Sequence, residues 1–290
     1  MPELPEVETI VNDLKKLVIK RKITDVWTDT KKLIKEPDFE TFRKKIKGLT
    51  IKDVRRRGKN ILIDLSEGYT LLIHQKLTGH LLYGKWSIQK NKIIPLIHGP
   101  LDDPMNNFIH VIFYLDNDYQ LALSDLRKFA KIILAKTEDI ENLKEIKEIG
   151  PDPLDKNFDF DTFKKAIKSH HGKIKQVLME QKVIAGIGNI YSDEILWWAK
   201  IHPLRTTASL TEEELKRLYH FTLEVLKMAI KARGSSVSDY RDPKGEKGHY
   251  DQIRRVYRRE NQKCYRCGTL IKRIKIGGRS SCFCPVCQKI

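Results

Sequence analysis

No cysteine precedes Cys264; all five lie between that residue and Cys287. This excludes a disulfide framework spread through the fold and points to one compact metal site. There is no run of about 18 apolar residues, which excludes an ordinary membrane-spanning helix, and no N-terminal apolar segment resembles a signal peptide. A cytoplasmic, reducing compartment and no membrane partner are expected. Acidic residues are in deficit: Lys+Arg number 55 against 38 Asp+Glu, a net charge of +17. Such a surplus suits a polyanion, most simply nucleic acid, although lysines spread along the whole chain also serve solubility. With 290 residues and 40% hydrophobic content, there is material for two domains and a small appendage.

The chain opens Met1-Pro2-Glu3-Leu4-Pro5-Glu6-Val7-Glu8-Thr9. Removal of Met1 is expected and would leave Pro2 with a free secondary amine, a nucleophile near neutral pH that forms a covalent iminium with an electrophilic carbon. Glu3 is the adjacent carboxyl group for proton transfer. The same residues also suit an ordinary helix start, with proline in the first turn and acids at the positive end of the macrodipole. Ile10, Leu14, Leu17 and Val18 then follow at helical spacing.

Short apolar runs with turn residues between them follow: Ile51–Val54, Ile61–Leu65, Tyr69–His74, Ile109–Leu115, Tyr119–Leu123 and Phe129–Leu134. They predict a β-sandwich of two packed layers. Residues 84–107, with Pro95, Gly99, Pro100 and Pro104, read as a long loop. Gly150-Pro151-Asp152-Pro153 breaks both periodicities and marks a domain boundary. Helical spacing resumes at Phe160, and Gly186-Ile187-Gly188-Asn189 reads as a tight turn with Asn189 as N-cap of a helix to about Ala199. Thr211 and Glu214 have capping-box spacing for a further helix ending near Gly234, with Leu210 and Leu215 as its staple. The stretch from Gly234 to Tyr250 is glycine-, serine- and charge-rich and reads as mobile.

Cys264, Cys267, Cys284 and Cys287 form Cys-x2-Cys-x16-Cys-x2-Cys, the spacing of a zinc ribbon. Four thiolates close a tetrahedral site, so one structural Zn2+ per chain is expected, with Cys282 outside it. The segments either side of Gly277-Gly278 read as a basic hairpin. The fold class is thus α+β and multidomain. It comprises an N-terminal two-layer β-sandwich with flanking helices (1–135), a linker (136–156), a helical domain whose turn at Gly186–Asn189 resembles a helix–two-turns–helix motif (157–234), a mobile loop (235–252) and a zinc-ribbon hairpin (253–290).

The opening nine residues, Arg55-Arg56-Arg57-Gly58-Lys59, His74-Gln75-Lys76-Leu77-Thr78-Gly79, Asp125-Leu126-Arg127-Lys128-Phe129, the Gly-Pro-Asp-Pro-Leu hinge, Gly186-Ile187-Gly188-Asn189-Ile190-Tyr191 and the cysteine pattern occur in one order. In that order they resemble the formamidopyrimidine-DNA glycosylase family. Gln75, Lys76, Leu126, Lys128 and Ala130 depart from its motifs, and Arg233-Gly234-Ser235-Ser236 matches its Gly-Gly-(Ser/Thr)-(Ser/Thr) only roughly. The resemblance implies a DNA repair enzyme acting on damaged double-stranded DNA, expected as a nucleoid-associated monomer. It would remove oxidised purines through a Pro2 Schiff base and then cleave the abasic site by β,δ-elimination. Pro2, Glu3, Lys59 and Arg279 would be catalytic, with Glu6 and Glu194 supporting the active site. Leu77, Arg127, Phe129, Lys175 and Asn189 would contact DNA, Leu77 filling the hole left by an extruded base and Phe129 wedging into the stack. The segment after Gly234 would cover the damaged base, and a cleft between the two domains would hold the duplex. Two further readings stay open: a related endonuclease VIII-like glycosylase for oxidised pyrimidines, and a non-catalytic damage binder with the same fold.

Overall fold

The computed structural model describes residues 1–290 apart from Asn91 and Ser238. The chain divides into two compact units, 1–147 with 232–251 and 148–231 with 252–290, so it passes between them three times.

The first unit begins with helix α1 (Leu4–Val18). Strands β1 (Ile23–Thr28) and β2 (Ile34–Glu36), helix α2 (Phe39–Ile46), and strands β3 (Ile51–Arg57), β4 (Asn60–Leu65), β5 (Tyr69–His74) and β6 (His80–Gly84) follow. After them come β7 (Trp86–Gln89), β8 (Lys92–Pro95), β9 (Ile109–Leu115), β10 (Gln120–Ser124), β11 (Lys131–Lys136) and a one-turn helix α3 (Lys144–Lys147). The sandwich has a four-stranded sheet, β1-β9-β10-β6, and a five-stranded sheet, β2-β11-β5-β4-β3. Strand register aligns the inward residues into rows. Val54, Ile63, Leu71 and Leu134 lie opposite one another across β3, β4, β5 and β11; Val26, Phe113 and Leu121 do so across β1, β9 and β10. All seven are buried in one core, which Val7, Ile10, Leu14 and Val18 of α1 complete. A period of two in the strands and of 3.6 in the helix is what lets these residues share one interior.

Residues 84–107 do not form a structureless loop. β7 and β8 pair as a hairpin, and two short 3-10 turns follow at Pro100–Asp102 and Pro104–Asn106. The physical reason lies in β9, whose apolar run is continuous rather than alternating. Its outward residues Ile109 and Ile112 pack with Leu82 and Ala122 under Trp86 and Leu101 in a second core. The segment is a lid on a sheet face that would otherwise be exposed apolar surface.

The second unit contains α4 (Phe160–Lys168), α5 (Ile174–Met179), α6 (Asn189–Ala199), α7 (Glu212–Lys231) and the hairpin β12 (Lys272–Ile276)–β13 (Arg279–Phe283). The capping box of α7 is present: Thr211 N donates to Glu214 Oε2 at 2.9 Å and Glu214 N to Thr211 Oγ1 at 3.2 Å. Gly277 and Gly278 both have positive φ, 52° and 76°, the two-residue turn that matches strand twist. Among the described residues, no helix is long and apolar enough to cross a membrane.

Phe113 sits in the sandwich core against Phe42, ring centroids 6.3 Å apart. Phe113→Ala is expected to destabilise the protein by about 3–5 kcal/mol, read as a lower urea midpoint at unchanged slope.

Candidate active site and phosphate-binding surface

In the first unit, Pro2 and Glu3 lie at the start of α1, both buried. Glu6 defines the local geometry. Its Oε2 accepts the Glu3 backbone N–H at 2.8 Å and its Oε1 accepts the Ser235 backbone N–H at 2.8 Å. Pro5 in the first turn donates no N–H there, which suits a helix start. Lys59 occupies the turn between β3 and β4 and is buried. Arg56 sets that turn: Nε donates to Glu8 Oε2 of α1 at 2.7 Å and Nη1 to the Gly58 carbonyl at 3.0 Å. Arg55 pairs with Asp64 at 2.7 Å. The arginines of this basic run thus include structural ties, one of them to the turn that carries the lysine. The Met1 α-amine at this end of the helix is held below its ordinary value of 8.0, chiefly by burial. Lys59 pushes the same way, while Glu3, Glu6 and Asp239 oppose.

Two loops of the same unit present the side chains expected at a base-flipping site. Asp125 is fully buried and organises both. Its Oδ1 accepts from Thr78 Oγ1 at 2.5 Å, and its Oδ2 accepts the Phe129 and Ala130 backbone N–H groups at 2.7 and 2.8 Å. Thr78 Oγ1 in turn accepts the Arg127 N–H at 3.1 Å. This bolts the Leu77 turn to the loop carrying Arg127 and Phe129. Phe129 lies outside its strand and is 49% exposed, with the Arg127 guanidinium 4.6 Å from its ring centre. Leu77 is half-buried in its turn. An exposed aromatic with a stacked arginine is poor core chemistry and good base-stacking chemistry.

The second unit gathers cations around the start of α6. Asn189 is the first helical residue, and Gly188 takes the N-cap position. The correction has a backbone cause: Gly188 at φ −134°, ψ −151° is the last extended residue. Asn189, Arg258, Arg273, Arg279 and Ser280 line a cavity of about 610 Å3. Arg279, at the hairpin turn, is exposed. Helix N–H groups and guanidinium ions together suit a phosphate.

Lys175 and Glu194 both lie in the interior of the second unit. Lys175 is only 1% exposed; its Nζ donates to Asp193 Oδ1 at 2.7 Å and to the Asn189 carbonyl at 3.0 Å. Its ammonium is thus held by a carboxylate and a carbonyl of α6. Glu194 receives the backbone N–H groups of Arg255, Val256 and Tyr257 at 2.7–2.8 Å. It fixes the segment that carries Arg258. Asp193, which sequence reasoning passed over, also accepts from Ser281 Oγ at 2.6 Å and Cys282 N at 2.9 Å. Its position four residues after Asn189 puts it on the same helix face, the one signal available.

The sulfurs of Cys264, Cys267, Cys284 and Cys287 lie within 4.8 Å of one another. Tetrahedral ligation at about 2.3 Å per Zn–S bond calls for sulfur separations of about 3.8 Å, so the four fit one zinc ion and leave no position open for substrate. Cys282 stands outside the cluster. The Trp197 indole N–H donates to Cys264 Sγ at 3.4 Å, which ties the ribbon to α6, and the Arg266 guanidinium covers the indole at 4.0 Å.

A β-sandwich with a buried terminal Pro-Glu pair, joined to an arginine-lined helical turn on a zinc ribbon, defines a class of zinc-ribbon proteins built for a phosphodiester ligand. Comparison with known proteins makes this specific. Residues 1–132 match the formamidopyrimidine-DNA glycosylase N-terminal domain, 149–241 its H2TH domain, and 261–290 the zinc finger found in FPG and IleRS. The formamidopyrimidine-DNA glycosylase of Pelotomaculum thermopropionicum is 42% identical over 290 residues, covering 100% of both chains. That of Streptococcus mutans is 36% identical over 100% of both. The Lactococcus lactis Fpg solved with an abasic-site DNA superposes with a TM-score of 0.86 at 34% identity, covering 99% of this chain and 100% of that one. The chain belongs to the formamidopyrimidine-DNA glycosylase family.

Three measurements follow from this geometry. Asp125→Ala strips a charged acceptor from several donors and is expected to cost on the order of 3 kcal/mol, with faster hydrogen exchange at Phe129 and Ala130. His74, at the end of β5, accepts the Lys76 N–H on Nδ1 at 3.0 Å. Burial, with Lys76, Lys59 and Lys131 next, pushes it from 6.5 down to about 3. The unfolded chain then binds one more proton between those values. This stability is complete above 6.5 and declines as pH falls towards 3, by about 1.4 kcal/mol per pH unit. Urea midpoints at pH 7 and pH 5 should converge in His74→Gln relative to wild type. Metal analysis should return one zinc per chain, and chelation should shift Trp197 fluorescence as its thiolate partner is released.

Proposed function

We infer that this protein is a base-excision repair enzyme that removes oxidised purines from duplex DNA and then cleaves the resulting abasic site. The observation that carries the reading is the buried Pro2–Glu3 pair braced by Glu6 beside Lys59. Its chemistry is amine catalysis. The nitrogen of Pro2, freed of Met1, forms a bond to C1′ of the damaged nucleotide. The glycosidic bond breaks, and its electron pair leaves with the base, which takes up a proton. Glu3 handles proton transfer at the sugar, whose ring opens to the iminium. Loss of a C2′ proton then expels the 3′ phosphate, a second elimination expels the 5′ phosphate, and hydrolysis of the iminium frees Pro2.

Leu77 fills the gap left by an extruded base, Phe129 wedges into the stack and Arg127 reaches the orphaned base; the exposure of Arg127 and Phe129 on a loop fixed by Asp125 supports this. Removing a base from the stack costs a few kcal/mol, which inserted side chains partly offset. Lys59, Asn189 and Arg279 hold phosphates flanking the lesion, with Lys59 and Arg279 also serving proton transfer and the second elimination. Lys175, Asp193 and Glu194 act indirectly by setting α6 and the segment before the hairpin. Zinc, when bound, holds the ribbon that carries Arg279 and takes part in no bond change. A related chain, the wild-type Lactococcus lactis Fpg, has been solved with N7-benzyl-Fapy-dG DNA at 34% identity and a TM-score of 0.86, which supports a modified purine as substrate. Single-chain action on DNA within the cell, at the nucleoid, is the setting this reading implies.

Borohydride reduction during turnover tests it. Protein lacking Met1 by intact mass should form a covalent adduct with a duplex carrying one 8-oxoguanine. Protein with an uncleaved N-terminal tag should bind the duplex but lose the adduct by on the order of 100-fold or more. Equal trapping with the terminus blocked would remove Pro2 as nucleophile. Tight binding with no adduct on any damaged or abasic duplex would leave a damage binder, and faster trapping on oxidised pyrimidines would reassign the substrate.

A further inference from the structure

The stretch from Gly234 to Tyr250 reads as mobile from its composition, and Ser238 within it lies outside the described residues; residues 232–251 cluster with the first unit. They are tied to it as a strap. Tyr240 is buried in the sandwich core. Arg241 pairs with Asp103 at 2.9 Å, and the Pro243 carbonyl accepts the Tyr83 N–H of β6 at 2.6 Å. Gly234 packs so closely on Glu6 that a Cβ there would lie 2.8 Å from it, and Ser235 N donates to Glu6 Oε1 at 2.8 Å.

Arg233 closes this strap. Its backbone sits at φ +60°, a region costly for a residue with a Cβ, so its side-chain contacts must hold it there. The guanidinium grips Asp13 of α1 through Nη1 at 3.4 Å and Nη2 at 2.5 Å. It also donates through Nε to Asp242 Oδ2 at 3.2 Å, and Nη2 pairs with the same oxygen. Asp242 is fully buried, and its Oδ1 accepts the Lys244 and Glu246 N–H groups at 2.9 and 3.0 Å. One arginine therefore joins the strap's interior turn to α1, the helix that follows Pro2 and Glu3. Together with the Ser235–Glu6 bond, it fixes the strap to α1 at two points along the helix.

We propose that Arg233 is a positioning residue for base excision, its ion pairs with Asp13 and Asp242 holding the strap in register with the Pro2 end of α1. The inference rests on the reading that Pro2 is the nucleophile and that this segment covers the damaged base. α1 is seated by its own apolar stripe, so loss of the clasp leaves the sandwich folded and displaces the strap. An abasic duplex offers no base to cover. The clasp should therefore matter for excision and little for Schiff-base formation at a pre-formed abasic site.

Arg233→Gly is the discriminating variant, because glycine relaxes the positive φ while removing both ion pairs; Asp13→Asn removes one pair alone. Single-turnover excision of 8-oxoguanine should fall on the order of 10- to 100-fold in Arg233→Gly and less in Asp13→Asn. Borohydride trapping on an abasic duplex should stay within about threefold, and hydrogen exchange should quicken at residues 235–236. Equal loss of excision and abasic trapping would make the clasp merely structural, and unchanged excision would also overturn it. If wild type neither excises nor traps, the enzymatic reading falls and the proposal with it.

Discussion

The buried carboxylate of Glu6 is the constraint on which the candidate chemistry depends. One oxygen takes the N–H of Glu3 and the other the N–H of Ser235, so a single side chain fixes both the start of α1 and a segment far away in sequence. A carboxylate has two acceptor oxygens and no donor, which suits it to join two backbone N–H groups from separate stretches. Arg56 extends the same logic by tying the Lys59 turn to Glu8, one helical turn or less from Glu6. The terminal residues, the lysine and the strap are all referenced to one helix, and that helix is itself seated by Val7, Ile10, Leu14 and Val18.

The same device recurs. Asp125 gathers the N–H groups of its own loop, Asp193 holds Cys282 N and Ser281, and Glu194 holds three successive N–H groups from Arg255 to Tyr257. All of these acids are buried, whereas Arg279 and Arg127 are exposed. The scarcity of acid in the composition thus acquires a structural meaning. Several carboxylates are committed to the interior as backbone acceptors, where charge-assisted bonds are worth most. The exposed charge is left more positive than the net value alone conveys, as binding to a phosphate backbone requires.

Much of this was legible in the sequence where one residue type has one strong physical preference. Short apolar runs bounded by turn residues placed β4, β5, β9 and β10 to within a residue or two, the Thr211–Glu214 spacing marked the start of α7, and the cysteine pattern named the zinc ligands. What escaped was decided by tertiary partners. A continuous apolar β9 implies cover on both faces, but nothing local says that Trp86 and Leu101 provide it. Lys175 looks like a surface cation until Asp193 is placed against it, and Asn189 looks like a cap although Gly188 has the extended geometry. The strap has the composition of a loop, yet Tyr240, Arg241 and Asp242 are buried because the core, Asp103 and Arg233 receive them.

The proposed nucleophile makes two opposite electrostatic demands. The amine must be neutral to attack, yet the iminium it becomes is cationic. At this end of the helix burial disfavours charge on the Met1 amine, and Lys59 adds to it. Glu3, Glu6 and Asp239 act in the other direction on the same group. They weaken the depression in the free protein but favour the cation once it has formed and cannot shed a proton. A site depressed only by positive neighbours would give a reactive amine and a destabilised intermediate. One depressed by burial among carboxylates keeps the free amine available and still accommodates the charge that follows, and Glu6 contributes to that balance while holding the backbone that carries it.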